Sequence, residues 1–587
     1  MADADAVLER INYWRPGVDP SRPALAGRSS LRIGLVGSYE FYLNVAPEGQ
    51  VFLLEPDNYA EVLDAVPLDL VLVESAWNPM SRGWYQFQLA GASAHAIMDD
   101  LLQRARSRGC PTAFWLTTGK AYVADYASVA RRCDAVFCAD TDAVGAFGAL
   151  GVDATYLPPG VQPARFHPFS EDPFREKAEH PVYFDGWADV DRGLADQKVL
   201  ESLAERTGLA IFESRYRLPA PRLRYLPRLA PSVQGCLTPG LHPVALRQSE
   251  IVVSLDSAPL EQVSAQWRAL KAAATGNVLV HLGRLERTDI RADLARAHAD
   301  MESLIGDVEW LRANPLERAR QAHVTWRKVM EEHTLAHRLG RICAELGLHH
   351  DWNPAPKVSV VTPTRRRDHL ERILENYDRQ AYACKELRIV VNDAEPDEAW
   401  EAVADRDDVV LDRVPSDLFT GACMNRAHEA SRAEYIVKMD DDDFYGERYL
   451  PDIMLALQCV DADVFGKVPV PMRFVGESKA YCRRQRFQPY SVTTGKTLRA
   501  GRMWLGGNTL GYRRSALPSP VFPDDVLGAA DSVFNETCPE EATVLVLDPF
   551  NTLTERDADA GGHTWRPERS ALEANSDVLD EWSDLMV

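Results

Sequence analysis

Short apolar runs alternate with amphipathic stretches along most of the chain, and the first part shows the pattern most clearly. The runs predicted to be buried strands there are 31–38, 68–74, 112–116 and 135–138. The stretches predicted to be helices are 92–108, 122–132 and 141–150. This alternation predicts a parallel sheet whose strands are joined by right-handed helical crossovers.

The same alternation starts again twice. A second α/β unit is predicted from strands at 181–186, 211–212, 251–255 and 278–281, a helix at 264–274 capped by Gly276, and helical segments from about 293 to 346. A linker with two prolines, 351–356, precedes a third unit with strands at 357–364, 387–391 and 435–439. We therefore predict a lead-in (1–30), α/β domains at 31–179, 180–350 and 357–567, and an acidic tail (568–587) that is a peripheral helix or partly disordered.

Four consecutive aspartates, Asp440 to Asp443, follow the last of these strands. Adjacent carboxylates repel one another, so a fold rarely keeps four together without a cation. Oxygen ligands at a strand end suit Mg²⁺ or Mn²⁺, which can in turn hold a diphosphate. A solvated acidic turn is the alternative, but the buried strand before the run and the aromatic pair after it favour a metal site.

Charge and cysteine content narrow the class of protein. The chain has 587 residues and a net charge of −22, which argues against binding to nucleic acid. Its ten cysteines form no CxxC pair, no signal-peptide pattern is seen, and no apolar run reaches the roughly 20 residues of a membrane span. We expect a cytoplasmic protein without a transmembrane segment; peripheral membrane association and homo-oligomerisation stay open. The basic stretch 483–486 is either an anionic-acceptor site or a solvated loop.

The third unit resembles the GT-A glycosyltransferases of family 2, through several motifs in the expected order and spacing. Those motifs are Thr362-Pro363-Thr364, Asn392-Asp393, Asn425 within 421–427, Asp440-Asp441-Asp442, and Gly506-Gly507 within 504–510. The resemblance implies a set of nucleotide-sugar contacts at Pro363, Thr364, Asp393, Asn425, Asp440, Asp441, Gly506, Gly507 and Arg566. It also implies a divalent cofactor, Mn²⁺ or Mg²⁺, bound by Asp440 and Asp442, with His563 completing the metal shell.

The same resemblance places the catalytic base at Asp531. Inversion at a sugar carbon needs one carboxylate to accept the proton of the acceptor hydroxyl, while the metal stabilises the departing diphosphate. Ala530 stands where the family has a glutamate, so Asp531 is the sole carboxylate of that pair. The alternative for Asp531 is an ordinary aspartate at a helix N-terminus.

The front half, 31–350, resembles a GT-B glycosyltransferase of the group-one-like kind, so the fold class implied is two Rossmann-like domains followed by a GT-A domain. The residues that carry this resemblance are 114–115, 133–137, 157–163, 268–276 and 333–338. Lys271 stands where active relatives have a glutamate that binds the nucleotide ribose, and a lysine cannot accept those hydrogen bonds. The front half is therefore either altered in its donor or no longer catalytic, and we favour the second.

These features together predict a metal-dependent, inverting glycosyltransferase. Its donor is expected to be a nucleotide-sugar carrying UDP, and its acceptor a cell-surface glycan or a polyol phosphate. Two alternatives stay open: a bifunctional transferase with both halves active, and a non-catalytic protein that binds or assembles carbohydrate. A nucleotidyltransferase also fits the carboxylates, but the context of Asn425 and Gly506-Gly507 favours sugar transfer.

Overall fold

The computed structural model of the chain describes residues 30–77, 79–174, 181–186, 194–213, 225–255, 262–286, 289–350, 355–392, 398, 400, 403, 405–468, 470–524, 530–556 and 568–587. The chain divides into two compact units. The N-terminal unit comprises Met1–His167 and Ala178–Pro354, and the C-terminal unit comprises Pro168–Lys177 and Ala355–Val587.

The N-terminal unit contains a first six-stranded sheet, entirely parallel, in the order β2-β1-β3-β4-β5-β6. Its strands are β1 (Arg32–Val36), β2 (Gln50–Leu53), β3 (Leu70–Glu74), β4 (Thr112–Leu116), β5 (Ala135–Cys138) and β6 (Thr155–Tyr156). Its helices are α1 (Tyr39–Val45), α2 (Tyr59–Ala65), α3 (Ser93–Ser107), α4 (Val123–Ala130) and α5 (Thr141–Ala149). Alternate residues of β3 enter two different cores, so both faces of this sheet are buried, as an apolar parallel strand requires.

A second six-stranded parallel sheet follows in the same unit, in the order β12-β11-β10-β7-β8-β9. Its strands are β7 (Val182–Gly186), β8 (Leu209–Glu213), β9 (Val233–Gly235), β10 (Ile251–Leu255), β11 (Val278–Leu282) and β12 (Ala295–His298). The helices are α6 (Leu194–Thr207), α7 (His242–Arg247), α8 (Gln262–Ala274), α9 (Met301–Ala313), α10 (Pro315–Glu332) and α11 (Leu335–Glu345). Helix α11 contributes Leu335, Leu339 and Ile342 to a core of the first sheet, which ties the two sheets into one unit.

The C-terminal unit is built on a mixed eight-stranded sheet, the large sheet, in the order β15-β14-β13-β16-β22-β18-β23-β21. Its strands are β13 (Val358–Thr364), β14 (Lys385–Asn392), β15 (Val409–Val414), β16 (Tyr435–Lys438), β18 (Val464–Gly466), β21 (Ser491–Thr494), β22 (Gly511–Arg513) and β23 (Thr543–Val546). The helices of the unit are α12 (Leu370–Arg379), α13 (Thr420–Ala430), α14 (Tyr449–Cys459), α15 (Gly495–Arg499), α16 (Ala530–Thr537) and α17 (Arg569–Ala574).

A smaller sheet of five strands lies in the same unit, in the order β17-β24-β19-β20-β25. Its strands are β17 (Phe444–Tyr445), β19 (Met472–Phe474), β20 (Ala480–Arg483), β24 (Thr552–Arg556) and β25 (Ser576–Leu579). Because β17 directly follows the four aspartates, this sheet holds one end of the aspartate run in place.

The predicted α/β class with parallel sheets is confirmed, and several of the predicted strands and helices match the observed ones within a few residues. Gly276 has a φ of 75°, the left-handed conformation expected just after a helix end. One prediction is wrong: residues 295–298, expected to be helical, form the edge strand β12. In the tail, predicted to be a peripheral helix or partly disordered, Arg569–Ala574 form the helix α17. Strand β25 of the tail pairs antiparallel with β20.

None of the described helices is both long enough and apolar enough to cross a membrane.

Candidate active site

Several strands of the large sheet bring their ends to one edge. The parallel strands β13, β14 and β16 end there at Thr364, Asn392 and Lys438. Strand β22 runs antiparallel to β16, so the residues just before β22, including Gly506 and Gly507, lie at the same edge. Motifs that are more than 140 residues apart in the sequence therefore meet because of strand direction alone.

A cavity of about 810 Å³ opens at this edge. The predicted site residues that line it are Pro363, Thr364, Asp440, Asp441, Asp442, Gly506, Gly507 and Asp531. Asn392 and Asp443 also line it. Its volume lies within the range of about 300–1,000 Å³ that is usual for small-molecule sites.

The four aspartates alternate between two environments. The side chains of Asp440 and Asp442 keep 30% and 13% of their surface exposed, whereas those of Asp441 and Asp443 keep 5% and 1%. Asp440 lies just after β16, and Asp441 to Asp443 form the turn that leads into β17. The more exposed pair, Asp440 and Asp442, is the pair that the sequence register favours as metal ligands.

The two buried carboxylates are held by short hydrogen bonds. The Thr364 hydroxyl donates to Asp441 at 2.5 Å. The Asn508 amide donates to Asp443 at 2.5 Å, and the backbone N–H of Glu555 donates to the same carboxylate at 3.0 Å. These fixed donors give Asp441 and Asp443 a structural role that supports the rest of the run.

Burial changes the protonation of these two groups. Burial raises the pKa of Asp443 to about 7; Arg556 opposes that shift, whereas Asp440 and Asp442 reinforce it. Burial also raises the pKa of Asp441, against the opposing effects of Thr364 and Arg366. Burial thus disfavours the charged forms of the Asp441 and Asp443 carboxylates.

Cationic side chains balance part of this charge. The Arg366 guanidinium donates to Asp441 at 2.7 Å and to Asp442 at 3.1 Å. Lys438, two residues before Asp440 on β16, forms an ion pair with the Asp440 carboxylate. Arg556 pairs with Asp443 at 3.2 Å. The sequence patterns did not predict a role for Arg366 or Lys438. Arg366 is two residues after Thr364 and Lys438 is two residues before Asp440, and this spacing could have indicated a shared face.

The carboxylates have a geometry that fits a divalent cation. One oxygen from each of Asp440, Asp442 and Asp443 lies within 4.8 Å of the others. Hard carboxylate oxygens converging at that spacing are the donor set that Mg²⁺ and Mn²⁺ prefer. The residues therefore fit the metal that the sequence predicted, with Asp443 as an additional candidate ligand.

Asp531 lies directly against the glycine pair. A Cβ atom built on Gly507 would be 2.1 Å from the Asp531 carboxylate oxygen Oδ2, so the absence of a side chain at position 507 makes room for that carboxylate. Asn535 fixes this approach, because its amide oxygen accepts from the Leu505 N–H at 3.0 Å and its NH₂ group donates to the Asp531 carbonyl at 2.8 Å. Asn535 could not be predicted from the sequence, because no local pattern indicates that a helix residue bonds to a loop about 30 residues earlier.

The structure does not bring Asn425 into the cavity. Its amide donates to the Phe522 carbonyl at 2.8 Å and to Asp524 at 2.7 Å, and it accepts from the N–H groups of Val521 and Phe522. These four bonds hold segment 521–524 against helix α13. The remaining predicted contacts, Asp393, His563 and Arg566, lie outside the described residues.

In the N-terminal unit, Lys271 is engaged with an acidic partner. Its ammonium lies 2.5 Å from the Glu40 carboxylate, and the rings of Phe166 and Trp267 lie 5.5 and 5.6 Å from it. Lys271 is the main cause that lowers the pKa of Glu40 to about 2, and burial opposes the shift. The Lys271 ammonium is thus held in an ion pair with Glu40.

Comparison with known families agrees with the geometry of the C-terminal unit. The family described as Glycosyl transferase family 2 matches residues 359–517, from strand β13 past strand β22. This match supports a family 2 glycosyltransferase domain in the C-terminal unit. Asp531 lies beyond the matched residues.

Two solved structures illustrate what the chain is similar to. One is S. aureus TarS 1–349 in complex with UDP-GlcNAc, at 17% identity and a TM-score of 0.28, covering 36% of this chain and 62% of that one. The other is mannosyltransferase PcManGT from Pyrobaculum calidifontis in complex with GDP-Man and Mn²⁺, at 20% identity and a TM-score of 0.27, covering 41% of this chain and 70% of that one. The chain thus spans less than two thirds of the TarS structure. No curated protein matches it.

Proposed function

We propose that the C-terminal unit transfers a sugar from a UDP-sugar to a hydroxyl group of a glycan or polyol-phosphate acceptor, with inversion and with Mn²⁺ or Mg²⁺ as cofactor. The observation that carries this proposal is that the aspartate run and Asp531 line the same cavity. A metal–diphosphate site and a carboxylate base on one cavity are the two groups that inverting transfer requires.

Each group has a distinct task in this proposal. Asp440 and Asp442 hold the divalent cation, with Asp443 behind them. When bound, the cation supplies positive charge that stabilises the departing nucleoside diphosphate. Pro363 and Thr364 lie where the nucleotide enters the edge of the sheet, as in other α/β sheets that bind ligands beyond their strand ends.

Asp531 accepts the proton of the acceptor hydroxyl. Gly506 and Gly507 present bare backbone to the cavity beside it, so a sugar ring can approach the carboxylate closely. The link from Asn535 to the Asp531 carbonyl holds the first turn of α16 in place, which limits the loss of reactivity that a misplaced base causes.

The N-terminal unit is proposed to be a non-catalytic scaffold or acceptor platform of GT-B type. The ion pair between Lys271 and Glu40 supports this role, because a lysine held by a carboxylate offers no acceptor for ribose hydroxyls. In the bifunctional alternative, a Lys271→Ala variant would lose one of two transfer activities while an Asp442→Ala variant lost the other.

A donor screen tests the proposal. Nucleotide release from UDP-, GDP- and dTDP-sugars is measured for the purified chain with Mn²⁺, with Mg²⁺ and with EDTA, alongside Asp442→Ala and Asp531→Asn. Asp407→Ala, an exposed aspartate away from the cavity, is the matched control. We expect metal-dependent release from a UDP-sugar that Asp442→Ala abolishes, that Asp531→Asn slows by about 10²–10⁴-fold and that the control retains.

Two results would contradict the proposal. Full transfer by Asp442→Ala would remove the aspartate run from the reaction. Absence of metal-dependent UDP binding in a calorimetric titration would instead favour the non-catalytic carbohydrate-binding alternative.

A further inference from the structure

Lys438 is a buried cation in the wall of the cavity, beside the aspartate run 440–443. Only 8% of the residue is exposed, it lines the same cavity as Asp442 and Asp531, and its ammonium pairs with the Asp440 carboxylate. Burial of an unpaired ammonium is costly, so Lys438 depends on the carboxylates around it. Those carboxylates include Asp531 and Asp443, which also interact with it electrostatically.

The Lys438 ammonium lies where the proposed divalent cation would bind Asp440. Asp440 is one of the carboxylates proposed to hold the divalent ion, and its oxygen Oδ1 already carries the Lys438 ammonium. Lys438 and Asp440 are two residues apart at the end of an extended strand, so their side chains share one side of the backbone. Lys438 therefore has to leave Asp440, at least in part, before a metal ion can use that oxygen.

We propose that Lys438 is a built-in counter-ion that occupies Asp440 until a divalent cation and a diphosphate arrive together, and so couples metal binding to donor binding. The inference rests on the proposed function. Lys438 has a positioning role in this proposal, and that role depends on the anion that the displaced ammonium pairs with. A diphosphate entering the cavity supplies an anion that replaces Asp440 as a partner of the ammonium, in addition to Asp531 and Asp443.

Displacement of the Lys438 ammonium couples the affinity for the metal to the affinity for the diphosphate. Metal alone must displace the ammonium without offering it a new partner, which weakens metal binding. With a diphosphate present the displaced ammonium is paired again, so the penalty disappears. By reciprocity the metal strengthens diphosphate binding by the same factor. Diphosphate is itself a metal ligand, so some coupling remains without Lys438, but it should be smaller.

The test is a titration of Mn²⁺ followed by the electron paramagnetic resonance signal of the free ion. The whole chain is compared with Lys438→Met, which keeps most of the side-chain length but removes the charge, and with Lys438→Arg, which keeps the charge. Lys496→Met, an exposed lysine of α15 that does not line the cavity, is the control. Each protein is titrated with and without UDP, after circular dichroism has shown that it is folded.

We expect Lys438→Met to bind Mn²⁺ alone about tenfold more tightly than the unmodified chain, a change of about 1.4 kcal/mol. The enhancement of Mn²⁺ affinity by UDP should be about tenfold smaller in this variant. Lys438→Arg and Lys496→Met should behave like the unmodified chain.

The outcomes separate this inference from the proposed function. If the unmodified chain binds Mn²⁺ with UDP but Lys438→Met shows unchanged or weaker Mn²⁺ binding, the counter-ion role is wrong and the metal site stands. If no protein in the series binds Mn²⁺ with or without UDP, the metal site of the proposed function fails, and the inference fails with it.

Discussion

Replacing Gly507 with alanine would put a methyl group where the Asp531 carboxylate lies. The added Cβ would be 2.1 Å from Oδ2, 2.6 Å from Cγ and 2.7 Å from Cβ of Asp531. Ordinary contacts of a Cβ atom are longer than about 3 Å, so the carboxylate has to move by about 1 Å. Gly507 does not have a positive φ, so alanine introduces no backbone strain of its own.

The expected effect is on the chemical step. A displacement of about 1 Å costs on the order of 100-fold in rate, and a general base contributes about 10²–10⁴-fold, so kcat of Gly507→Ala should fall by about 10²-fold. Binding of UDP with Mn²⁺ should change by less than about threefold, since the proposed nucleotide contacts Pro363 and Thr364 lie on β13 instead. Steady-state kinetics and calorimetry measure the two quantities separately.

A double-mutant cycle tests whether Asp531 transmits the effect. If Gly507→Ala acts by displacing this carboxylate, adding it to Asp531→Asn should cause little further loss. Gly306→Ala, where a Cβ atom meets nothing within 4 Å, is the matched control and should leave kcat unchanged. A Gly507→Ala variant with full kcat, or one whose loss multiplies with that of Asp531→Asn, would refute the assignment of Asp531 as the base.

Three further predictions test other parts of the chain. Asn535→Ala removes the bond that α16 accepts from the Leu505 N–H and the bond to the Asp531 carbonyl within α16. The kcat should fall while UDP affinity is kept, and an unchanged kcat would contradict the positioning role. Trp582→Ala removes a ring that packs edge-to-face on Phe444 and carries the Arg473 guanidinium 4.2 Å above it; urea unfolding should show a loss of about 2 kcal/mol, and an unchanged midpoint would contradict it. Glu40→Gln removes a carboxylate whose depressed pKa gives stability above about pH 4.5 that is lost as pH falls toward 2. Because 40% of the Glu40 side chain is exposed, Glu40→Gln should lower the free energy of unfolding in urea by only about 1 kcal/mol at pH 7. This loss should shrink toward pH 2, and a difference that does not depend on pH would contradict the ion pair.

Local pattern was sufficient for much of the fold. Apolar runs with flanking turn residues located many of the strands of the parallel sheets, because a strand buried on both faces must be apolar throughout. Short or half-exposed strands cannot be predicted in this way: β12, with the sequence Ala-Arg-Ala-His, carries no such signal and lies in a stretch whose pattern predicts a helix. Strand β25 of the tail is a strand only because β20 offers it a free edge.

For the candidate site, the sequence alone determined that Thr364 and the aspartate run would lie at one edge, since the ends of the parallel strands β13 and β16 share that edge whatever their side chains are. Only the tertiary structure decided that Asn425 braces a neighbouring segment, that Lys438 and Arg366 balance the carboxylates, and that the Asp531 carboxylate fills the space left by Gly507. These contacts join residues far apart in the chain, and their geometry depends on strand order and packing, which no local pattern encodes.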